Sequence, residues 1–538
     1  MDKVYKHQEV EKKWYDLWEK SGYFVPDKDP NLPAGKAGKK PFSVILPPPN
    51  ANADLHMGHT MYTVEDIMVR YHRMKGDATL WLPGADHAGF ETQYVFEKHL
   101  AKEGKSRFEY DRETLYQMIW DFVQKNRGNM EHQLRRLGFS LDWTRNTFTL
   151  DPKIVEIVYK TFKKLYDDGI VYRSERLVNY CTKDGTSFSD LEVNYVERND
   201  PLYFMKYGPF TIATVRPETK FRDTALAVNP KDKRYKQHIG KTFDIQGLLG
   251  NVKMIIIPDE SVDPKFGTGI MKVTPAHDPH DFELGKKFNL PVTPIIDFKG
   301  RMDFSWFMNK KDVPQKYLDR AKKYHGQKVL NARKMMVEDL KEDGLLLKTD
   351  EKYVHRIGVC YKCGAVIEPL PMKQWYIKIE QLADKAIDAI KKKKIKFVPK
   401  RFEKTAIRWL TNFHDWNISR QIVWGIRIPA WKCLECSKDG KEQWMVTSNE
   451  KPDKCTNCGG NNLQQDSDTF DTWFSSGQWP YATLLSREIS NFKFPRKNSM
   501  IEFSGQAISN LKEKYVDSDF NYFYPTSVME TGYDILPW

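Results

Sequence analysis

The hydrophobic and polar positions near the start of the chain predict a strand, a loop and a helix in succession. Residues 42–46 are a short apolar run that is typical of a buried parallel strand. From Val64 to Met74 apolar residues recur at helical spacing, and Gly76 follows as a left-handed cap. A strand, loop and helix in this order form the unit that binds a nucleotide on an open α/β sheet, with the phosphates at the helix N-terminus.

The pattern then changes along the chain. A helix is predicted from Glu113 to Gly138, whereas the region after Asn194 contains short β-rich runs such as residues 210–214 and 252–257. Gly, Pro and Asp punctuate these runs, so we predict an inserted β-rich domain, and helical sequence returns after it. The predicted segments are a first half of the nucleotide-binding domain at 1–145, a connection at 146–193, the insertion at 194–349 and a second half at 350–538.

Composition narrows the class of protein. With 538 residues and 40% hydrophobic residues, the chain can bury several cores, so two to four domains are expected. No apolar run approaches membrane-spanning length and the N-terminus lacks a signal-peptide core, so we expect a cytoplasmic protein without a membrane partner. The formal charge of +13 suits a polyanionic partner. The lysine run at 391–394 is usually a solvated helix face.

The loop after the first strand carries the most informative candidate chemistry. It reads Pro-Pro-Pro-Asn at 47–50 and then His56-Met57-Gly58-His59. Gly58 lets the backbone approach a ligand, while His56 and His59 can donate to charge that develops on a phosphate. By themselves, two histidines in a turn are more often metal ligands or ordinary loop residues. The lead-in and the following helix favour phosphate chemistry.

Six of the seven cysteines lie in Cys-x-x-Cys pairs, which fits metal ligation in a reducing compartment better than disulfides. The spacing of Cys433, Cys436, Cys455 and Cys458 predicts a tetrathiolate zinc site. Such a zinc is structural, because four thiolates leave no open position for a substrate. Cys360 and Cys363 form one further complete knuckle.

Several motifs in order resemble one enzyme family. Residues 56–59 resemble the HIGH motif of class I aminoacyl-tRNA synthetases. Three further segments are similar to the valyl members of that family, namely residues 83–93, 471–476 and 523–528, and the segment at 417–431 resembles a motif shared by the valyl and isoleucyl branches. The resemblance covers the chain from about residue 5 to residue 536, so it applies to nearly all of the sequence.

The resemblance implies both a fold and an activity. The fold is an α/β, class I synthetase Rossmann-type nucleotide-binding fold, incomplete at the C-terminus, with an inserted β-rich editing domain and zinc knuckles. The activity is ATP-dependent activation of valine, transfer to tRNA(Val) and hydrolytic editing of mischarged Thr-tRNA(Val). ATP with Mg²⁺ and structural Zn²⁺ are the implied cofactors; tRNA(Val), L-valine and ATP are the implied partners of a monomer.

The resemblance also assigns residues of the activation site. His56, Gly58 and His59 are the implied catalytic residues. His56, His59, Gly532 and Asp534 are implied at ATP. The implied valine pocket contains Pro48, Asn50, Asp86, Trp473 and Ile535. Asp86 is a sensible partner for the ammonium of valine, and Trp473 and Pro48 supply rigid apolar walls.

An inserted editing domain has a physical reason. A hydrophobic valine pocket rejects isosteric threonine only about 10²-fold, so a second, hydrolytic site is needed. The residues that match the family's editing motifs are Thr214, Arg216, Glu218, Thr219, Lys272, Thr274, Asp278 and Asp281. Asp281 is expected to bind the amino group of the mischarged threonine. Ester hydrolysis needs only an oriented water and a stabilised oxyanion.

The resemblance places Cys181 with the knuckle of Cys360 and Cys363. Where many relatives have a second cysteine, this chain has Asp184. Three thiolates and a carboxylate can hold zinc, and a degraded, metal-free site is the equal alternative.

The chain as given ends after Trp538, before a KMSKS loop and an anticodon-binding domain. We therefore expect a truncated ligase with weak activation, because the KMSKS lysines stabilise the pyrophosphate leaving group in the family. Two other functions remain open: a stand-alone aminoacyl-tRNA deacylase that only edits, and a non-catalytic tRNA-binding fragment.

Overall fold

The computed structural model describes residues 5–27, 39–437, 442–448, 451–486, 518–532 and 535–536. The chain divides into two units, one formed by Met1–Tyr172 with Trp375–Trp538 and the other by Arg173–Gln374. The β-rich insertion predicted at 194–349 lies within the span of the second unit. The boundaries drawn from the sequence stay predictions.

The first unit begins with parallel strands and their connecting helices. Its first elements are α1 (His7–Ser21), β1 (Pro41–Ile45), α2 (Tyr62–Met74), β2 (Ala78–Leu82), β3 (Gly84–Ala85), α3 (Gly89–Lys102), α4 (Arg112–Arg136), β4 (Thr147–Phe148) and α5 (Pro152–Asp167). β1 pairs with β2 in parallel, and β3 pairs with β4 in parallel. The predicted strand and helix around the His-Met-Gly-His turn are confirmed, and Gly76 has the left-handed φ of 87°.

The buried face of α2 differs from the one that the apolar spacing predicts. Val64, Ile67, Tyr71 and Met74 are exposed, with Met74 at 82%. The residues of α2 that are buried are Tyr62, Glu65 and Val69. The indole of Trp81 in β2 donates to Glu65 at 2.7 Å, so a polar pair occupies part of the interface that an apolar stripe was expected to fill.

The second unit is mostly antiparallel sheet. Its elements are β5 (Val171–Cys181), β6 (Thr186–Phe188), β7 (Val193–Asn199), β8 (Leu202–Tyr207), β9 (Phe210–Thr214), β10 (Ala225–Val228), β11 (Thr242–Gly247), β12 (Gly250–Pro258), β13 (Ile270–Val273), α6 (Pro279–Lys287), α7 (Ser305–Met308), α8 (Gln315–Tyr324), α9 (Val329–Glu342), β14 (Leu346–Asp350), β15 (Val354–Cys360) and β16 (Glu368–Ile377). The strands follow the order β11-β12-β10-β13 in one sheet and β14-β8-β9 in another. Met205, Ile212, Leu226 and Ile256 belong to their shared core.

The chain then returns to the first unit. The elements there are α10 (Glu380–Lys391), α11 (Arg401–Thr411), β17 (Trp416–Asn417), β18 (Ser419–Arg420), β19 (Ala430–Cys433), β20 (Trp444–Val446), β21 (Leu463–Gln465), β22 (Thr469–Phe470), α12 (Thr472–Ser476), α13 (Trp479–Leu485) and α14 (Asp519–Phe523). Val528 bridges Val44 of β1 in parallel, and Ser527 N–H donates to Ser43 O at 2.9 Å. Parallel pairing of distant segments with intervening helices confirms the predicted α/β class. None of the described helices has both the length and the apolar character needed to cross a membrane.

Candidate active sites and metal centres

Beyond the end of β1, His56 caps a 3₁₀ turn, Met57–Met61, and His59 lies within it. His56 Nδ1 accepts the backbone N–H of Gly58 at 3.0 Å, and His59 Nδ1 lies 3.0 Å from the backbone nitrogen of His56. An imidazole whose Nδ1 accepts a hydrogen bond carries its proton on Nε2 when it is neutral. The turn therefore leaves the Nε2–H of His56, an exposed side chain, as a donor.

Two further features define this turn. Burial lowers the pKa of His59, and the neighbouring His56 lowers it further, so His59 is a neutral donor at pH 7. A Cβ on Gly58 would lie 2.7 Å from Cε1 of His56, closer than such atoms approach. Glycine is thus needed here to hold the His56 ring against its own turn. The predicted approach of a ligand to Gly58 stays a prediction.

Backbone pairing brings Asp86 beside the Pro-Pro-Pro-Asn loop. Asp86 N–H donates to Pro49 O, and Ala51 N–H donates to Asp86 O, both at 2.9 Å. Asn50 and Asp86 form a parallel bridge. Two of the residues assigned to the valine pocket are therefore neighbours.

The contacts to the Asp86 carboxylate are made to only one of its two oxygens among the described residues. Thr149 Oγ1 donates to Asp86 Oδ1 at 3.0 Å, and the ring of His87 lies 3.3 Å from the same oxygen. Asp86 is 7% exposed, and among the described residues nothing donates a hydrogen bond to its Oδ2. This geometry leaves one anionic oxygen available for a cationic group.

Trp473 lies in the first turn of α12, which Asp471 caps by accepting Trp473 N–H at 3.0 Å. A Cβ on Gly89 would lie 3.3 Å from Thr472 Cβ, so α12 begins against the chain just beyond Asp86. Trp473 is half-buried, as is Pro48. The structure therefore brings the start of α12 to the segment that carries Asp86.

The three residues assigned near the end of the chain, Gly532, Asp534 and Ile535, are not brought to Asp86 by any described contact. Ile535 is 41% exposed and its N–H donates to Gly532 O at 3.1 Å. Within the described ranges, no hydrogen bond or strand pairing joins either residue to Asp86. Asp534 lies outside the described residues. These three assignments stay predictions.

A polar network in the second unit surrounds the amino group of Lys272. Lys272 Nζ donates to Thr274 Oγ1 at 2.6 Å and to Thr219 Oγ1 at 2.7 Å, and it lies 3.2 Å from Asp223 Oδ1. Asp223 also accepts the hydroxyls of Thr274, at 2.5 Å, and Tyr207, at 2.7 Å. The fold thus collects three of the predicted editing residues around a carboxylate that sequence reasoning missed.

Among the predicted editing residues, Asp281 is a buried carboxyl group with a raised pKa. It lies in the first turn of α6, where Asp278 caps the helix by accepting the N–H groups of His280 and Asp281. Asp281 Oδ2 accepts Thr274 N–H at 2.7 Å, and no described residue donates to its Oδ1. Burial, followed by repulsion from Asp278, raises the pKa of Asp281 to about 7. The carboxyl is therefore about half protonated at neutral pH.

Arg216 and Glu218 belong to a neighbouring ion-pair cluster. Arg216 lies 2.5 Å from Glu368 and 3.1 Å from Glu218, and Arg333 also pairs with Glu218 at 2.8 Å. Burial raises the pKa of Glu218, but Arg333 and Arg216 outweigh it, so the net pKa is lowered. Thr214 Oγ1 accepts Arg216 N–H at 3.0 Å. These contacts give Arg216, Glu218 and Thr214 structural partners within the unit.

Comparison with known proteins decides the family. The model of the family described as "tRNA synthetases class I (I, L, M and V)" matches residues 13–504. The chain belongs to the class I tRNA synthetases. The family predicted from the sequence is thus confirmed.

Individual relatives of this class I synthetase are valine–tRNA ligases. That of Dehalococcoides mccartyi is 42% identical over 543 residues, which cover 100% of this chain and 55% of the relative. That of Carboxydothermus hydrogenoformans is 41% identical over 540 residues, with coverages of 99% and 55%. The chain therefore spans about half the length of these relatives. A solved ternary complex of Agrobacterium radiobacter K84 LeuRS with tRNA and LeuAMS is similar at a TM-score of 0.43, with 18% identity over 91% of this chain and 60% of that chain.

Among its described residues, this class I synthetase chain has two clusters that can hold a metal ion, one in each unit. In the first unit Cys433 Sγ lies 3.7 Å from Cys458 Sγ, and Cys436 Sγ lies 3.8 Å from Cys455 Sγ. A tetrahedral zinc with Zn–S bonds of about 2.3 Å separates its sulfurs by about 3.8 Å, so this cluster fits the ion.

The second cluster contains the three predicted cysteines and Asp184. Cys181 Sγ lies 3.5 Å from Cys363 Sγ and 3.2 Å from Asp184 Oδ2, while Cys360 Sγ lies 3.1 Å from the same oxygen. The carboxylate thus occupies the position of a fourth ligand.

Sequence reasoning missed several residues that shape the synthetase sites. Thr149 anchors Asp86, and Asp223 anchors Lys272 and Thr274. Trp479 is buried, its indole donates to Leu46 O at 3.2 Å, and a Cβ on Gly84 would overlap its ring. The only signal for Trp479 was its place just after the segment at 471–476.

Proposed function

We propose that this chain carries the valine-activating and editing parts of a valine–tRNA ligase. The supporting observation is the pairing of Asp86 with the loop that leads to His56 and His59, in a chain about 40% identical to valine–tRNA ligases along its whole length. ATP, valine and tRNA(Val) are the proposed substrates, and we propose a monomer in the cytoplasm.

Activation joins a carboxylate to a phosphate. A carboxylate oxygen of valine forms a bond to the α-phosphorus of ATP, and the bond from that phosphorus to the bridging oxygen breaks, which releases pyrophosphate. His56 and His59 lie at a turn that offers imidazole N–H donors to the developing phosphoryl charge. Mg²⁺ supplies charge neutralisation to the phosphates when bound.

Recognition of valine rests on one charge and an apolar wall. Asp86 Oδ2 accepts the ammonium, because Oδ1 is already occupied by Thr149. Pro48 and Trp473 flank the side chain, and Asn50 is fixed beside Asp86 by the backbone bridge. Such a pocket excludes larger side chains by size but admits threonine.

Editing is assigned to the network around Lys272 and Asp281. Asp281 Oδ1 accepts the ammonium of the mischarged threonine, while the hydroxyls of Thr219 and Thr274 and the amino group of Lys272 orient polar groups of the ester. Water adds to the ester carbonyl and the bond to the tRNA ribose oxygen breaks, which releases threonine and tRNA. Because the eight predicted editing residues all lie among the described residues of the second unit, a deacylase that only edits is the second candidate.

Both cysteine clusters are proposed zinc sites, structural in role. Metal analysis of the purified chain should find about two zinc ions, with one lost in Cys455→Ser and a different one lost in Cys360→Ser. One zinc in the native chain, unaffected by Cys360→Ser, would show that the Asp184 cluster is metal-free. No zinc at all contradicts both assignments.

The proposed activity is tested by single-turnover formation of aminoacyl-adenylate, with the chain in excess over α-labelled ATP. Valine should form adenylate fastest, threonine should be the second fastest, and isoleucine should be slower than valine. This format detects activation even when it is slow. Faster adenylate formation with another amino acid, or none with valine, would contradict the assignment.

A further inference from the structure

A cavity of about 230 Å³ in the first unit has no part in the proposed chemistry. It opens between the first turns of α4 and α5 and the segment at 423–427. Its apolar wall includes Leu150 and Val155, and its polar wall includes Arg112, Tyr116, Tyr159 and Arg427. Concave sites with an apolar lining and a few convergent polar groups are typical of small-molecule binding.

Both arginines are held in place by backbone carbonyls rather than by acids. Arg112 Nη1 donates to Ser467 O at 2.8 Å, and Arg427 donates to Asp466 O at 2.7 Å. Among the described residues neither guanidinium forms an ion pair, and each keeps N–H groups that these bonds do not use. Two oriented cations therefore share one cavity.

Two nearby carboxylates accept hydrogen bonds from other side chains. Asp466 Oδ2 accepts the indole N–H of Trp375 at 2.9 Å, and Asp468 Oδ2 accepts the amide of Gln421 at 2.7 Å. Burial lowers the pKa of Arg112, and repulsion from Arg427 lowers it further, while Glu113, Asp468 and Asp466 partly oppose the shift. An anion between them would relieve that repulsion.

The two tyrosines complete the polar side. Burial raises the pKa of Tyr116 and of Tyr159, so both phenols stay protonated. Within the part of the chain that the structure describes, neither hydroxyl has a hydrogen-bond partner. Tyr116 also packs against Trp424, with ring centroids 5.2 Å apart, so one wall is aromatic.

We propose that this cavity binds a small organic carboxylate with a compact apolar body. Arg112 and Arg427 bind the carboxylate, for which a planar guanidinium is the matched donor. Tyr116 and Tyr159 donate to the same oxygens, and Leu150 and Val155 contact the apolar body. The mixed lining favours this class over inorganic phosphate, which has no apolar part.

The site is continuous with the segment that carries Asp86. Trp424 Nε1 donates to His87 O at 2.7 Å, and Leu150 follows Thr149, whose hydroxyl donates to Asp86. Trp424, which packs against the lining residue Tyr116, and Leu150 thus each adjoin a residue that contacts Asp86.

Calorimetric titration with benzoate tests the proposal. Benzoate should bind saturably at one site, and benzamide, which has the same shape without the charge, should bind at least about tenfold more weakly. Arg427→Gln and Arg112→Gln should each weaken benzoate at least about tenfold. Val155→Phe, which fills the cavity and keeps both arginines, should abolish binding. Lys392→Gln, which removes an exposed cation just after α10, should leave binding unchanged.

Three results would overturn the proposal. If benzamide bound with the same affinity as benzoate, the charges of the two arginines would not contribute to binding. Unchanged benzoate binding in Val155→Phe would place the ligand elsewhere. Binding of inorganic phosphate in preference to benzoate would identify the arginines as a phosphate contact instead. Melting curves of each variant establish that it is folded.

Discussion

Asp86 in the first unit and Asp281 in the second hold their carboxylates in similar ways and in different electrostatic settings. A threonine donates to one oxygen of each, through the Thr149 hydroxyl in one case and the Thr274 N–H in the other. The second oxygen accepts no hydrogen bond from the described residues. Asp86 adjoins a histidine, whereas Asp281 faces Asp278 and has its pKa raised to about 7. The same acceptor geometry is therefore predicted to respond differently to pH.

The largest expected effect is that of Asp86→Asn on activation. Removing the charge that pairs with the ammonium costs about 1.5–3 kcal/mol, so single-turnover adenylate formation at low valine should slow about 10- to 150-fold. Hydrolysis of Thr-tRNA by the same variant should be unchanged. Asp54→Asn, an exposed carboxylate in the loop that pairs with Asp86, is the matched control and should activate valine normally.

Asp281→Asn should produce the reciprocal result. Deacylation of pre-mischarged Thr-tRNA should slow by about one to two decades by the same arithmetic, while adenylate formation stays unchanged. If both variants impaired both reactions, the two aspartates would not be separate ammonium sites.

Deacylation by the unaltered chain should depend on pH. Because we propose that the carboxylate form of Asp281 binds the ammonium, kcat/KM should fall about tenfold per pH unit below a pKa of about 7 and level off above it. Rates measured from pH 5 to pH 8.5 test this. A profile that is flat across that range would contradict the raised pKa.

The same pKa shift has a consequence for stability. Asp281 has a folded pKa above its unfolded value, so its contribution to the free energy of unfolding is fully present below about pH 3.8 and is lost as the pH rises to about 7. Asn carries no charge, so Asp281→Asn removes this pH-dependent loss of stability. The melting temperature should therefore rise by about 2–4 °C at pH 8 and by a smaller amount at pH 5. Thermal melting at the two pH values is the measurement. A lower melting temperature at pH 8 would mean that the hydrogen bond to Thr274 outweighs the buried charge.

Thr149→Val should have the smallest effect. Thr149 positions Asp86 and has no role at the phosphate, and loss of one hydroxyl contact is worth about 1 kcal/mol, or about fivefold. The Michaelis constant for valine should rise while the rate at saturating valine is kept. Thr149→Ser, which retains the hydroxyl, should restore the native constant.

The local elements of the fold could be predicted from the sequence because they depend on short-range patterns. The strand at 42–46 and the helix ending before Gly76 are both observed. The buried face of that helix could not be predicted from its apolar residues, because the side that is buried contains Glu65. The Glu65 carboxylate accepts the Trp81 indole N–H, and burial raises the pKa of Glu65 to about 8. Periodicity alone does not reveal such a partner.

For the candidate sites too, the sequence predicted some residues and not others. Motifs identified Lys272, Thr274 and Asp281, but Asp223 carries no motif. It joins them only through the antiparallel register of β10 and β13, in which Leu226 pairs with Lys272. A contact made by sheet pairing between residues about fifty positions apart is set by topology, so the sequence pattern could not supply it.

The most direct test of the two-site interpretation is calorimetric titration of valine into the chain. Valine should bind saturably, Asp86→Asn should weaken that binding at least about tenfold, and Asp281→Asn should leave it unchanged. Valine binding that survives Asp86→Asn intact, or that is lost in Asp281→Asn, would contradict the assignment of Asp86 as the residue that recognises the amino acid.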